Sequence, residues 1–334
     1  MSVMKTVPYL LHGFFDDWLV RQRNASHNTV LAYRDTWRLF LRFVAARRQR
    51  DVAKLGLPDL TAAEVLAFLE HLEQVRHDCI ATRNCRLAAL RSFFLFVANC
   101  EPAAAAQCAD VLRIPSKRHP RRSLCYLEPD EVSAILAQPD RTTLRGQRDH
   151  ALLALLYNSG ARIQEVLDLR PKDVRLEPPA QVQVVGKGRK ERICPIWAET
   201  AVLLAALLRR QPRVPEERIF VNRYGRPLTA SGVRFRLRQY VASAGARAPR
   251  LKDKRVSPHT FRHTAAVHLV AAGVDITVIR SWLGHVDLDT TYLYAQANLE
   301  TKRKALEQAD PAARPGKPPR WKRDAELLAW LDAL

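Results

Sequence analysis

A single stretch of this chain alternates like a β-strand, while the other patterned segments are spaced like helices. Gln181 to Val185 alternate in polarity, Gly186-Lys187-Gly188-Arg189-Lys190 makes a turn, and Arg192 to Ile196 return as a second strand. Elsewhere apolar residues recur every three or four positions, the period of an amphipathic helix. The expected fold class is therefore mainly α with a small β-sheet.

Residues 1–112 read as a helical bundle. Leu11, Phe14, Phe15, Trp18 and Leu19 mark a first apolar face, and Val30, Tyr33, Trp37, Phe40, Leu41 and Val44 a second. Thr61 is placed to cap a third helix carrying Val65, Phe68, Leu69 and Leu72, and Leu87, Leu90, Phe93, Phe94 and Val97 give a fourth. Four short amphipathic helices without a strand pattern suggest a small bundle. Its expected outer faces carry Arg34, Arg38, Arg42, Arg83, Arg86 and Arg91. Any one of these fits a solvated surface, but as a set they fit phosphate contact.

Residues 113–123 hold two prolines and five Lys/Arg, the composition of a basic linker able to lie along DNA. A second domain covers residues 124–309. It has helices from Glu128 to Ala137, Asp149 to Tyr157, Ala198 to Arg210 and Thr229 to about Ala244, and one opened by Ser257-Pro258. Asp275 caps a short helix ending at Gly284, and Asp289 or Thr290 opens the next. Residues 310–334 form a Pro- and Lys/Arg-rich tether, then an amphipathic helix over 323–334 that must bury Leu327, Trp330, Leu331 and Leu334, on its own domain or on a neighbour.

The chain has 334 residues, 47% of them hydrophobic, enough for two cores, and a formal net charge of +20. Such a field suits a polyanion partner, nucleic acid first, although a merely basic composition rich in arginine would also produce it. The six cysteines, Cys79, Cys85, Cys100, Cys108, Cys125 and Cys194, form no Cys-x-x-Cys pair or zinc-finger spacing with histidine, so reduced thiols in a cytoplasmic protein are expected and no metal site. No secretion signal is evident, and no apolar run reaches the ~20 residues of a membrane span.

Several residues carry chemistry suited to a phosphodiester. Arg162 follows Gly160 at a helix break, where its fork can grip phosphate oxygens, with Glu165 holding it from the next turn. His259 and Arg262 share a face in the first turn of a helix, where open N–H groups also favour an anion. His263 points elsewhere, in a supporting role. Lys187 lies between two glycines and can reach a minor groove or donate a proton to a leaving oxygen; Lys190 competes for that role, and Arg189 can contact phosphate. His285 follows Gly284 in a turn, and Tyr294 supplies a phenol. Tyr292 is the competing tyrosine, but two residues of helix rotate roughly 200°, so both cannot face one phosphate. Taken singly, each of these residues also fits an ordinary structural role: surface pairing for Arg162, capping for His259, core packing for either tyrosine.

Their order is more specific than any one motif. Ser159-Gly160-Ala161-Arg162, Gly186-Lys187, His259-Thr260-Phe261-Arg262, Leu283-Gly284-His285 and Tyr294 together resemble the tyrosine recombinases of the phage integrase family. The resemblance spans about 124–297, and the N-terminal bundle is similar to the family's SAM-like core-binding domain. It implies an α+β catalytic domain that closes with the bundle as a C-shaped clamp around DNA. It also implies the catalytic set Arg162, Lys187, His259, Arg262, His285 and Tyr294, with Tyr294 forming a 3′-phosphotyrosine and Lys187 protonating the 5′-oxygen. The expected partners are double-stranded DNA at specific sites and a homo-tetramer on two duplexes, passing through a Holliday junction, with related recombinases as possible co-subunits. No cofactor is implied. The expected setting is prokaryotic and nucleoid-associated, in integration or transposition by a mobile element, or in Xer-like resolution of dimers. A non-catalytic DNA-binding protein on the same fold and a relaxing type IB topoisomerase are the alternatives.

Overall fold

The structure is a computed structural model and describes residues 6–118, 124–186 and 190–284. The chain divides into two compact units, Met1–Arg122 and Ser123–Leu334.

The first unit is all helix among the described residues. It opens with α1 (Val7–His12), which widens into a π-helical stretch over Gly13–Gln22. Then come α2 (His27–Arg48), α3 (Ala62–Gln74), α4 (Ile80–Cys100) and α5 (Ala105–Arg113). Local chemistry sets the starts: the Ser26 hydroxyl accepts from the Thr29 N–H, and the Thr61 hydroxyl from the Glu64 N–H. The apolar faces meet in one core with Phe14, Phe40, Phe68, Phe93 and Phe94 fully buried. Burial of each such ring contributes about 2 kcal/mol. Phe14 sits among Trp18, Tyr33, Phe93 and Phe96, and Trp37 lies 4.3 Å from Phe93 between ring centres.

Four expectations change here. The helices are not all short, since α2 runs 22 residues and α4 runs 21. The turns after Gly13 are π-helical rather than α-helical. A further helix, α5, follows Pro102, where an alanine-rich sequence hides the apolar period but Cys108 and Val111 are buried. The segment after it is also not free over its described part. Ile114 is buried, the Pro115 carbonyl accepts from Arg83, and Lys117 is held by the Asn84 side chain and by Glu73.

The second unit surrounds α7 (Leu144–Ser159), a helix buried along most of its length. Its other elements are α6 (Pro129–Leu136), α8 (Ile163–Leu167), a three-stranded sheet, α9 (Ala198–Arg210), α10 (Ala230–Ala244), α11 (Pro258–Ala271) and α12 (Ile276–Leu283). The sheet is antiparallel in the order β1 (Val174–Arg175), β2 (Gln181–Val185), β3 (Glu191–Pro195). Its register places Val184 opposite Arg192 and Val182 opposite Cys194. The two-residue β1 is too short to show a period and was not expected. Leu155, Leu204, Phe220 and Phe261 anchor the core. Among the described residues no helix is long and apolar enough to cross a membrane.

Candidate active site

The site begins where α7 stops. Gly160 takes a left-handed conformation, φ 58°, and its N–H closes onto the Leu156 carbonyl. A Cβ at this position would lie 2.6 Å from the Leu283 side chain, so only glycine meets both the turn and the close approach of α12. The turn delivers Arg162 to the N-cap of α8. Glu165, one turn on, grips it twice: Oε2 accepts from the Arg162 N–H at 2.8 Å, and Oε1 from its guanidinium at 2.9 Å. The Arg162 side chain keeps 38% of its surface open, enough to face an incoming anion. Burial pushes the Glu165 carboxyl upward, but hydrogen bonds from Arg192 and Arg162 outweigh it and hold the group below its ordinary range.

Helix α11 brings His259, Arg262 and His263. Ser257 caps it, with Pro258 at the first position. A reciprocal capping pair joins Ser257 and Thr260, each side chain accepting from the other's N–H. Those two N–H groups are taken and Pro258 has none, so the helix start offers an anion fewer donors than the sequence suggests. Arg262 is buried, with 1% of its surface exposed. It donates to the Gly160 carbonyl at 2.8 Å and to the Leu283 carbonyl at 2.6 Å. It thus clasps the end of α7 to the end of α12.

His259 lies in the field of both arginines. Burial first, then the charges of Arg262 and Arg162, lower its pKa. Its imidazole is therefore neutral near pH 7 and able to take a proton. The His263 ring packs edge-on against it, 4.5 Å between centres, four residues along and on the same face. Burial, with His259 and Arg262 nearby, lowers His263 to about 4.

The sequence reading missed Arg192. Alternation in β3 turns it inward with Cys194. A charged side chain at an inward strand position needs a buried partner, and that was the available signal. The partner is Glu165, whose Oε2 lies 2.6 Å from Arg192 Nη2. Arg192 Nε also donates to the Trp282 carbonyl at 2.8 Å, and the Trp282 indole donates to the Ser159 carbonyl at 3.0 Å. The ends of α7 and α12, the start of α8 and strand β3 are thereby tied together around Arg162, His259 and Arg262. Lys190 is exposed, and its carbonyl accepts from the Gly186 N–H. Lys187, Arg189, His285, Tyr292 and Tyr294 lie outside the described residues, as does the tail over 310–334.

In the first unit the candidate DNA-contacting arginines separate. Arg34, Arg38 and Arg42 are exposed along α2, with Arg34 bonded to Asp35. Arg83 is corrected: it is buried, 4% exposed, and donates to Asn84 and to the Pro115 carbonyl. Arg86 is half-buried beside Asp78, and Arg91 donates to the Ile114 carbonyl. Arg83 and Arg91 satisfy carbonyls of the segment that follows α5, a tertiary role that charge alone does not reveal. Among the described residues no three His, Cys, Asp or Glu side chains converge as metal ligands would.

Two family descriptions match this chain: "Phage integrase family" over residues 125–301 and "Phage integrase, N-terminal SAM-like domain" over 13–99. The chain is 39% identical over 325 residues to y4rC of Sinorhizobium fredii, a protein assigned as an integrase/recombinase, covering 97% of each. It is 34% identical over 291 residues to the tyrosine recombinase XerC of Roseiflexus castenholzii, covering 85% of this chain and 87% of that one. Among solved structures, the XerH site-specific recombinase bound to palindromic difH substrate, a post-cleavage complex, matches with TM-score 0.69 and 21% identity over 85% of this chain and 81% of that one.

Proposed function

The chain belongs to the phage integrase family, and on that premise we propose that it is a tyrosine recombinase that cuts and rejoins double-stranded DNA at specific sites. The observation that carries the proposal is the joining of Arg162 and Arg262 by the Gly160 turn, with Glu165 behind Arg162 and His259 in the field of both arginines. Two guanidinium groups would stabilise the charge that develops on a phosphate under attack. The neutral His259 would take the proton that the Tyr294 hydroxyl loses, since a phenol with an ordinary pKa near ~10 does not ionise unaided. The Tyr294 oxygen bonds to phosphorus, the bond to the 5′-oxygen breaks, and Lys187 protonates that oxygen. His285 would steady a non-bridging oxygen. The 5′-hydroxyl of a partner strand then reverses the steps. The ester keeps the bond energy, so the exchange needs no nucleotide hydrolysis.

The exposed Arg34 and Arg38 on α2, and Arg189 and Lys190 at the hairpin, are proposed to contact the backbone of the site. Recombination would join two duplexes through a Holliday junction in a tetramer, in the service of integration, transposition or dimer resolution.

The test uses duplexes selected from a random pool by binding to the protein, each nicked beside the bound site so that cleavage traps the enzyme. Wild type and Tyr292→Phe should give a denaturant-stable DNA adduct, and Tyr294→Phe none. No adduct with wild type would leave a DNA-binding protein without strand cleavage, and its loss with Tyr292→Phe alone would reassign the nucleophile.

A further inference from the structure

The feature that the proposed chemistry leaves unexplained is why a half-buried arginine turns inward near the start of β3. Arg192 belongs to β3, the strand that returns from the turn carrying Lys187. Its guanidinium spans two separate acceptors, the Glu165 carboxylate on α8 and the Trp282 carbonyl at the end of α12. It is also flanked by two glycines. A Cβ on Gly186 would fall 3.2 Å from Arg192 Nη1 and 3.3 Å from Glu165 Oε1, and one on Gly284 would fall 3.3 Å from Nη1 and 3.4 Å from Nε. Gly186 immediately precedes Lys187, and Gly284 immediately precedes His285.

We infer that Arg192 is the positioning residue that fastens the hairpin to the rest of the site and so sets where Lys187 donates its proton. A hairpin of two five-residue strands with a turn at its tip is otherwise held by its own ladder and its apolar face. To those contacts Arg192 adds ties from β3 to α8 and to α12. Its planar fork holds β3 against both because its two ends bond to different elements. Lysine offers its three donors from one nitrogen on a flexible stem, so it does not reproduce the fixed fork that reaches both of these acceptors from separate nitrogens. The two glycines complete the device, since a side chain at either would separate the backbone from the guanidinium.

The inference rests on the proposed strand cleavage, and the experiment separates the two. Single-turnover cleavage is measured on the trapping duplex in two forms, with the normal 5′-oxygen and with sulfur as the bridging atom. A thiolate leaves without a proton, so the sulfur form does not need Lys187. Lys187→Ala is the control, and should be slow on oxygen and close to wild type on sulfur. Arg192→Ala and Arg192→Lys should both bind DNA as wild type does. Both should cleave the oxygen substrate about 100-fold more slowly, the lower range of what a placed proton donor supplies. On the sulfur substrate both should recover to within about tenfold of wild type, as a displaced donor predicts. An equal loss on both substrates, or full activity on oxygen with either variant, overturns the inference. Arg192→Lys retains the charge, so it keeps the test valid if Arg192→Ala does not fold. Failure of wild type to cleave either substrate would instead overturn the proposed function.

Discussion

His259 and His263 show how one helix face tunes two imidazoles differently. His259 has its pKa lowered by burial and by Arg262 and Arg162, so it stays neutral as pH falls below the ordinary 6.5. The acid limb of DNA-adduct formation should therefore lie below pH 6.5, and a limb centred above it would sink the assignment of His259 as proton acceptor. His263 bears on stability. Its folded pKa, about 4, is below the unfolded 6.5. Above pH 6.5 both states are neutral at this group; as pH falls from 6.5 toward 4 the unfolded chain binds a proton that the folded one refuses, and stability is lost across that window. His263→Asn should flatten this part of the urea-stability profile relative to wild type. A wild-type-like decline in the variant would show that His263 does not contribute to it.

The turn between α7 and α8 matters as an element, because it is both a helix stop and a hydrogen-bond acceptor. Gly160→Ala forces a Cβ into the left-handed region and against Leu283 at 2.6 Å, while Arg262 depends on the Gly160 carbonyl. The combined strain and crowding should destabilise the protein by about 2 kcal/mol and reduce adduct formation with it. Urea unfolding within about 0.5 kcal/mol of wild type would mean that the turn relaxes without consequence. Elements like this one were readable because their signals are local. Gly160 and Gly284 as stops, and Thr61, Thr229, Ser257 and Asp275 as caps, all stand where the sequence placed them. What escaped depends on distant partners. Arg83 looks like any surface arginine until Pro115 packs beside it, and Arg192 is one basic residue in a basic turn until Glu165 faces it. The proposed catalytic set comes from the order of its motifs, which no single helix or strand pattern encodes. Lys187, His285 and Tyr294 rest on that order and on the proposed chemistry.

At the scale of the whole molecule, each unit owns a core, and the first should fold alone if cut in the right place. The sequence composition suggests a cut at residue 112, before the basic linker. The structure argues for a later one. A fragment of residues 1–112 exposes the pocket of Ile114 and deprives the buried Arg83 of the Pro115 carbonyl. Arg91 loses the Ile114 carbonyl, and Asn84 loses both of its bonds to the Lys117 backbone. Burial of one isoleucine contributes about 2 kcal/mol, and each bond about 1 kcal/mol net. Even with partial compensation by water, residues 1–118 should be more stable than 1–112 by about 3 kcal/mol, a large fraction of the roughly 5–15 kcal/mol that holds a domain together. Paired urea titrations followed by circular dichroism measure the difference. Equal midpoints would mean that residues 113–118 behave as linker in solution, with Arg83 satisfied by water instead.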